Sequence, residues 1–259
     1  MHMKFLMNNI TLTTGVTRNQ LKQWLKMGIL TPSIRCASGP GTRNVFSRED
    51  LYLIAVFRHF ISDLFYREPA ADYLKAINPD HVNLLVAVAT WERITYLQQD
   101  LLIELTQDKT IEESLKLIGK APNPHKIRLL RESMIRSLYE KLDTNLGLFL
   151  AFLRIKVEKR NHINCLPVIE GGPAWIPAAR FKDLIALSQT ADDTFILNFG
   201  KIMREIDIQL MLHYPEKMNY QYKKMMKRFR ELPSVEPNKI KIEDLLKITA
   251  SNYEEKEND

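Results

Sequence analysis

The sequence predicts a mainly α-helical protein with one small β-hairpin near its N-terminus, and three observations carry this prediction. Apolar residues recur at helical spacing through most of the 259 residues, as they do along the buried stripe of an amphipathic helix. Proline and glycine are concentrated at the breaks between these segments. Strand signals are weak outside the glycine-rich stretch 35–47. We therefore expect helices packed on helices as the main architecture.

The N-terminal residues contain two short helices separated by a tight turn. A first helix is indicated from Met7 to Leu12, and a second from Arg18 to Met27, for which Thr17 is a suitable N-cap. Gly28 is placed to end the second helix. Only Gly-Val-Thr links the two helices, so they must cross at a steep angle, which is the helix-turn-helix arrangement.

A hairpin and a third helix follow these two helices. The stretch "RCASGPGTRNVFS", residues 35–47, has Gly-Pro-Gly at its centre and reads as a hairpin with a glycine turn. Ser47 and Asp50 have the spacing of a capping box. The apolar run from Leu51 to Phe65 then predicts a helix.

The positive charge of the chain is concentrated in residues 1–66, which we call the head. The head has eight basic and three acidic side chains, a net charge of +5, whereas the whole chain has +6. A polyanion-binding surface on an almost neutral body, residues 67–259, would show this distribution. A solvated basic face without a partner explains the charge equally well.

These motifs together resemble a known family. The stretch "TTGVTRNQLKQWLKMGILTPS", followed by "GTRNVFSREDLYLI", resembles the N-terminal winged helix-turn-helix domain of the MerR family of transcriptional regulators over residues 5–65. The resemblance implies that four side chains of the recognition helix face the DNA major groove: Thr17, Arg18, Asn19 and Lys22. It also implies that Arg43 is the wing arginine that holds the DNA backbone and that Arg35 flanks it.

The resemblance also implies a biological role. Members of the family are homodimeric, sequence-specific regulators that bind a pseudo-palindromic double-stranded DNA operator, and a helical dimerisation and effector region follows the head. Lys22 stands where the family usually has arginine, and the wing is one residue longer, so the base preference is left open. The chemistry of the residues agrees with the resemblance, because arginine pairs with guanine and asparagine with adenine. Trp24 lies on the apolar side of its helix and is expected in the core.

We expect three regions: the head (1–66), a helical region for dimerisation (67–160) and a helical C-terminal region (161–259), for which effector binding is one interpretation. Helices are predicted from Ile127 to about Val157 and from Asp192 to His213, with a loop at 166–177. Heptad-like spacing in Val82–Thr106 fits either an interhelical seam or an intramolecular bundle. The methionine and aromatic residues of the C-terminal region fit either a pocket for a small apolar or aromatic effector or an ordinary core.

Several classes of protein are disfavoured by the sequence. No segment approaches the ~20 uninterrupted apolar residues of a membrane span, and Cys36 and Cys165 form no disulfide framework, so we expect a cytoplasmic protein. Cys165 with His162 is a poor metal site, so neither a metal nor a cofactor is expected. The chain lacks the common phosphate-loop, hydrolase and metalloprotease motifs. We therefore predict no catalytic residues and no enzyme.

Two alternatives remain open at this level. An excisionase-like or architectural DNA-binding protein would share the head, although such proteins are usually much smaller. A protein-interaction adaptor would use the winged-helix head to dock a protein partner. A DNA reader should lose affinity steeply as salt is added, and a sequence-specific one should favour one operator over random duplex.

Overall fold

A computed structural model of the chain describes residues 3–64, 66–96, 108–117, 119, 123–142, 146–157, 160–171 and 178–231. The helices in these ranges are α1 (Met7–Thr14), α2 (Arg18–Lys26), α3 (Arg48–His59), α4 (Arg67–Lys75), α5 (Pro79–Tyr96), α6 (Asp108–Leu117), α7 (Pro124–Leu142), α8 (Phe181–Ser188), α9 (Phe199–His213) and α10 (Pro215–Glu231). A π-helical turn, Phe60–Leu64, continues directly from α3. Three helices begin with proline at the first helical position, where its fixed φ and missing N–H are tolerated.

An antiparallel sheet of three strands lies in the second half of the chain. The strands are β1 (Leu146–Val157), β2 (Arg160–Gly171) and β3 (Asp193–Asn198), in the order β2-β1-β3. β1 and β2 pair over their full length, and β1 pairs with β3 from Phe149↔Asn198 to Arg154↔Asp193.

The prediction of a mainly α fold is therefore wrong, and the protein is mixed α/β. The helix predicted from Ile127 ends at Leu142, and β1 follows it; the segment predicted as helix from Asp192 begins with β3. Residues 166–171 of the predicted loop belong to β2, and 172–177 lie outside the described residues. The regions 67–160 and 161–259 are thus not wholly helical.

The physical reason for this error at the central strand, β1, is that both of its faces are covered. On one face Leu148, Leu150 and Phe152 of β1 join the main core, whereas Ala151 and Leu153 join a smaller cluster beneath α8 on the other face. A strand buried on both faces has consecutive apolar residues instead of alternation, and periodicity does not distinguish such a run from a buried helix.

Helix α5 is largely buried within the protomer from Val82 to Arg93. Val88 and Trp91, two positions of the heptad-like pattern, are part of the main core, and the charged residues Glu92 and Arg93 beside them are also buried. The part of the pattern at 97–106 lies outside the described residues. In the described part of the pattern, the intramolecular bundle accounts for the spacing.

The head and the body share one hydrophobic core. The cluster runs without a break from Met3 through the head helices to Tyr222 of α10. At one junction Phe60, just after α3, packs edge-on against Phe152 of β1 at a centroid distance of 5.6 Å and against Phe195 of β3 at 5.9 Å. At another junction the side-chain amide of Asn9 in α1 donates to the hydroxyl oxygen of Tyr214, at 2.6 Å.

A buried ionic cluster forms the third junction between head and body. Asp207 of α9 is fully buried, and its Oδ1 accepts hydrogen bonds from Arg48 Nε at 3.0 Å and from the hydroxyl of Tyr52 at 2.7 Å. Arg48 Nη2 lies 2.6 Å from the same oxygen. Arg93 of α5 donates to the other carboxylate oxygen, Oδ2. One carboxylate thus links α3 of the head to two helices of the body.

Two tyrosines complete this cluster. The Arg93 guanidinium lies 4.9 Å from the ring centroid of Tyr139 in α7, and the Tyr139 hydroxyl is 2.9 Å from that of Tyr222. Burial acts to raise the pKa of Asp207, but the positive charges of Arg48 and Arg93 outweigh it, so the pKa lies below its ordinary value. Asp207 is therefore a carboxylate in the folded protein at neutral pH.

We expect Asp207→Asn to destabilise the protein by about 3–5 kcal/mol, because it leaves two buried guanidinium groups without their counter-charge. Tyr52→Phe removes one hydrogen bond to the carboxylate and should lower the free energy of unfolding by about 1–3 kcal/mol. Asp72→Asn, on the exposed surface of α4, is the control and should leave stability almost unchanged. Urea unfolding curves of the three variants measure these differences, and equal midpoints for Asp207→Asn and Asp72→Asn would contradict the account.

The lowered pKa of Asp207 also predicts a pH dependence. The stabilisation is complete above the pKa of an unfolded aspartate, about 3.9, and is lost as the pH falls through the lower pKa of the folded protein. Unfolding free energies measured between pH 7 and pH 3 should therefore decrease more steeply in the parent than in Asp207→Asn. Identical slopes in the two proteins would show that Asp207 does not contribute to acid lability.

Candidate nucleic-acid interface

The turn between α1 and α2 has the length that the sequence predicts. Three residues link the helices, and Gly15 has φ 67°, a left-handed conformation that favours glycine. A Cβ at this position would lie 2.5 Å from Nη1 of Arg58, so the end of that arginine side chain would have to shift to admit it. Val16 is buried in the core. The turn is thus fixed by both backbone conformation and packing.

Helix α2 begins at the predicted cap. The Thr17 hydroxyl oxygen accepts from the N–H of Gln20 at 3.2 Å, and the Gln20 side chain accepts from the N–H of Thr17 at 2.9 Å. This reciprocal pair is a capping box. Gly28, with φ 66°, follows the C-terminus as predicted.

The two faces of α2 differ as the sequence predicts. Leu21 and Trp24 are buried, and Trp24 packs edge-on against Phe57 of α3 with ring centroids 4.9 Å apart. The expectation that Trp24 belongs to the core is confirmed. The four side chains assigned to the major groove are all exposed: Thr17, Arg18, Asn19 and Lys22. Among the described residues, the body leaves this surface of the head accessible.

The wing is a short hairpin organised mainly by side chains. Its backbone pairs through one antiparallel bridge, Arg35↔Val45, with N–H···O distances of 3.1 and 2.8 Å. At the tip, the Thr42 hydroxyl oxygen accepts from the N–H groups of Ser38 and Gly39 at 2.9 and 3.0 Å. Arg35 and Arg43 are both exposed. The predicted hairpin is confirmed, with less strand pairing than a regular ladder.

Asp50 connects the wing to the exit from α2. The predicted capping box between Ser47 and Asp50 is confirmed. The same carboxylate oxygen also accepts from the backbone N–H and the hydroxyl of Ser33, at 3.0 and 2.8 Å. Burial raises the pKa of Asp50 in spite of these hydrogen bonds. The sequence indicates the cap but not the second connection, because Ser33 lies 17 positions away.

The surface charge of the head is carried by fewer residues than its composition suggests. Arg48 is held by Asp207 in the protein interior and does not contribute to a polyanion-binding surface. Five exposed basic side chains remain on α2 and the wing: Arg18, Lys22, Lys26, Arg35 and Arg43. In the part of the chain that the structure describes, none of the five makes an ion pair with a carboxylate. Their positive charge is therefore uncompensated within these ranges.

The remaining chemical groups fall outside this surface. Cys165 is buried on β2, where burial raises its thiol pKa to about 12, and His162 is exposed on the same strand. Within the described ranges, no three His, Cys, Asp or Glu residues are grouped in a way that could hold a metal ion. None of the helices in these ranges combines the length and the apolar character needed to cross a lipid bilayer.

Comparison with known proteins adds no further constraint. The chain matches no protein-family model, and no curated protein is significantly similar to it. The proposed function therefore depends on the arrangement of the head and on its exposed charges.

The role of Thr17 as the cap of α2 can be tested by substitution. Thr17→Val removes the oxygen that accepts from Gln20 at nearly constant volume, and should destabilise the protein by about 1 kcal/mol. Thr17→Ser keeps the acceptor and is the matched control. Thermal or urea unfolding should give a lower midpoint for Thr17→Val alone. Equal midpoints for the two variants would show that the hydroxyl is not needed as a cap.

Proposed function

We propose that the chain is a sequence-specific, double-stranded DNA-binding transcriptional regulator whose head reads the major groove. The observation that carries this proposal is the group of five exposed basic side chains on α2 and the wing that have no carboxylate partner among the described residues. A polyanion with a regular spacing of charges is the partner that such a surface suits best.

The positions on α2 divide between base and phosphate contacts. Arg18 and Lys22 are one turn apart and so lie on the same face of the helix. Arg18 and Asn19, in the first turn, are suited to base edges, since each forms two parallel hydrogen bonds, with guanine and adenine respectively. Lys22 is suited to a phosphate oxygen as a point charge. The hydroxyl of Thr17 already caps α2, so the exposed side chain of this residue can contact DNA only at the start of the helix.

The wing supplies contacts to the phosphates. Arg35 lies at the base of the hairpin and Arg43 on its second arm, close to the tip held by Thr42. Contacts from such a hairpin go to the sugar-phosphate backbone, where they fix the register of the protein on the duplex without reading sequence. Arg35 and Arg43 therefore complement Arg18 and Asn19.

We further propose that the protein acts as a homodimer in the cytoplasm. One recognition helix reads only a short half-site, and a two-fold dimer reads the pseudo-palindromic operator that the resemblance implies. Helix α5 is largely buried within one protomer from Val82 to Arg93, so we place the dimer surface on other elements. A small apolar or aromatic effector remains part of the proposal, and we propose no catalytic, metal-binding or cofactor-binding role.

We expect Arg18→Ala and Arg43→Ala to affect DNA binding differently. Arg18→Ala should reduce discrimination at one base pair, by about 1–3 kcal/mol, whereas Arg43→Ala should weaken binding to all duplexes alike and make the salt slope shallower by about one unit. Fluorescence anisotropy with a selected operator and random duplex, between 50 and 200 mM salt, measures both effects. Lys182→Ala, an exposed site on α8, is the matched control.

The same titrations distinguish the alternatives. Salt-dependent binding without preference for the operator would indicate an architectural protein instead of a regulator. Absence of salt-dependent DNA binding in the parent would contradict the proposal and leave the adaptor hypothesis. If both arginine variants bound the operator like Lys182→Ala, the assignment of the head surface would be wrong.

A further inference from the structure

A groove of about 920 Å³ separates the helix-turn-helix from the body. One wall is formed by the C-terminus of α1 with the Thr14–Gly15 turn and by the last turn of α3, which carries Arg58. The opposite wall is formed by the end of β3 and by α9. The volume lies within the range of small-molecule sites, which are clefts of roughly 300–1,000 Å³.

The positive charges in this groove are not balanced by its acidic residue. Glu205 of α9 lines the groove, but its Oε2 accepts from Arg136 Nη1 of α7 at 3.0 Å. Arg58 and Lys201 also line the groove, and within the described ranges neither has a carboxylate partner. Lys201 is exposed on the first turn of α9. Two cations in the groove are thus available to an anionic group.

One part of the remaining lining is apolar, and polar residues, among them Asn198 and Gln209, form the other part. Leu197 of β3 and Ile206 of α9 line its buried side, each with 3% of its surface exposed. Ala55 and Ile202 are partly buried beside them, and Leu12 of α1 leaves 56% of its surface exposed at the groove. Apolar surface of this kind favours contact with hydrocarbon. The groove therefore combines an apolar part with two cationic side chains.

We propose that this groove binds a small amphipathic carboxylate, with the carboxylate at Arg58 and Lys201 and the hydrocarbon part along Leu197, Ile202 and Ile206. Charge-assisted hydrogen bonds to carboxylates are about twice as strong as neutral ones, so the anionic group sets the specificity. The binding itself does not depend on the proposed function; its role as the effector of a DNA-binding regulator does.

The groove adjoins the turn that positions α2. Arg58 Nη1 donates to the carbonyl oxygen of Thr14 at 2.5 Å, directly before Gly15 and three residues before the cap of α2. A bound carboxylate competes with that carbonyl for the guanidinium group. Ligand binding and the conformation of the helix-turn-helix turn therefore share one side chain, Arg58, which gives the ligand a direct route to the recognition helix.

Isothermal titration of the full chain without DNA tests the binding. The probes are octanoate, octanol and octylammonium, which share one hydrocarbon chain and differ in charge. We expect octanoate to bind on the order of tenfold more tightly than octanol, which corresponds to one favourable ionic contact, and octylammonium to bind least. Equal binding of octanoate and octanol, or no binding of octanoate, would overturn the proposal.

Variants locate the binding site. Lys201→Gln removes one cation from an exposed position and should weaken octanoate binding at least about fivefold, with little effect on octanol, because a charge-assisted contact is worth about 1 kcal/mol or more. Lys182→Gln, at an exposed site on α8 outside the groove, is the control and should bind octanoate like the parent. Thermal unfolding of both variants verifies the fold. Equal octanoate affinity of the two variants would place binding elsewhere and overturn the proposal.

A final experiment distinguishes failure of this proposal from failure of the proposed function. Operator affinity is measured with and without saturating octanoate, and we expect it to change at least about threefold in the parent and not in Lys201→Gln. If octanoate binds but the protein does not bind DNA, the groove is a ligand site and the proposed DNA-binding function is wrong. If the protein binds DNA specifically but does not bind octanoate, the groove proposal is wrong and the proposed DNA-binding function is supported.

Discussion

The carboxylate of Asp207 is the interaction on which the relation between head and body depends. It is buried, ionised and bonded to Arg48 and Tyr52 of α3 and to Arg93 of α5. A buried charge without its partner is very unfavourable. Helices α3, α5 and α9, which carries Asp207, therefore separate only if all these bonds break together. The head is therefore held in a fixed orientation on the body, and the surface of α2 and the wing projects from a single rigid core.

Helix α9 connects this cluster to the groove beside the head. Asp207 and Met203 belong to its buried side, whereas Lys201 and Glu205, close by along the helix, line the groove. A ligand in the groove contacts the same helix that anchors α3. The anchoring carboxylate and the proposed ligand site thus act on one structural element, and Arg58 extends that link to the turn before α2.

The head was predictable from sequence because its signals are local. A cap at Thr17, glycines at positions 15 and 28 and the Ser47–Asp50 pair each define structure within a few residues, and all of these features are present. The sheet was not predictable, because β1 is apolar on both faces. The cluster around Asp207 was not predictable either, because Arg93 lies 114 positions and Arg48 lies 159 positions from that aspartate along the chain. Local patterns carry no information about such distances, and for the same reason the groove was not foreseen.

The most direct test of the central claim is the selection of bound duplexes from random-sequence DNA by the full chain. The account predicts enrichment of two inverted half-sites, with their centres about 10 base pairs or a multiple of that distance apart. It also predicts that an Arg43→Ala protein selects the same sequence with lower affinity. A bound pool with the composition of the starting pool would contradict the assignment of Arg18 and Asn19 to base edges in the major groove.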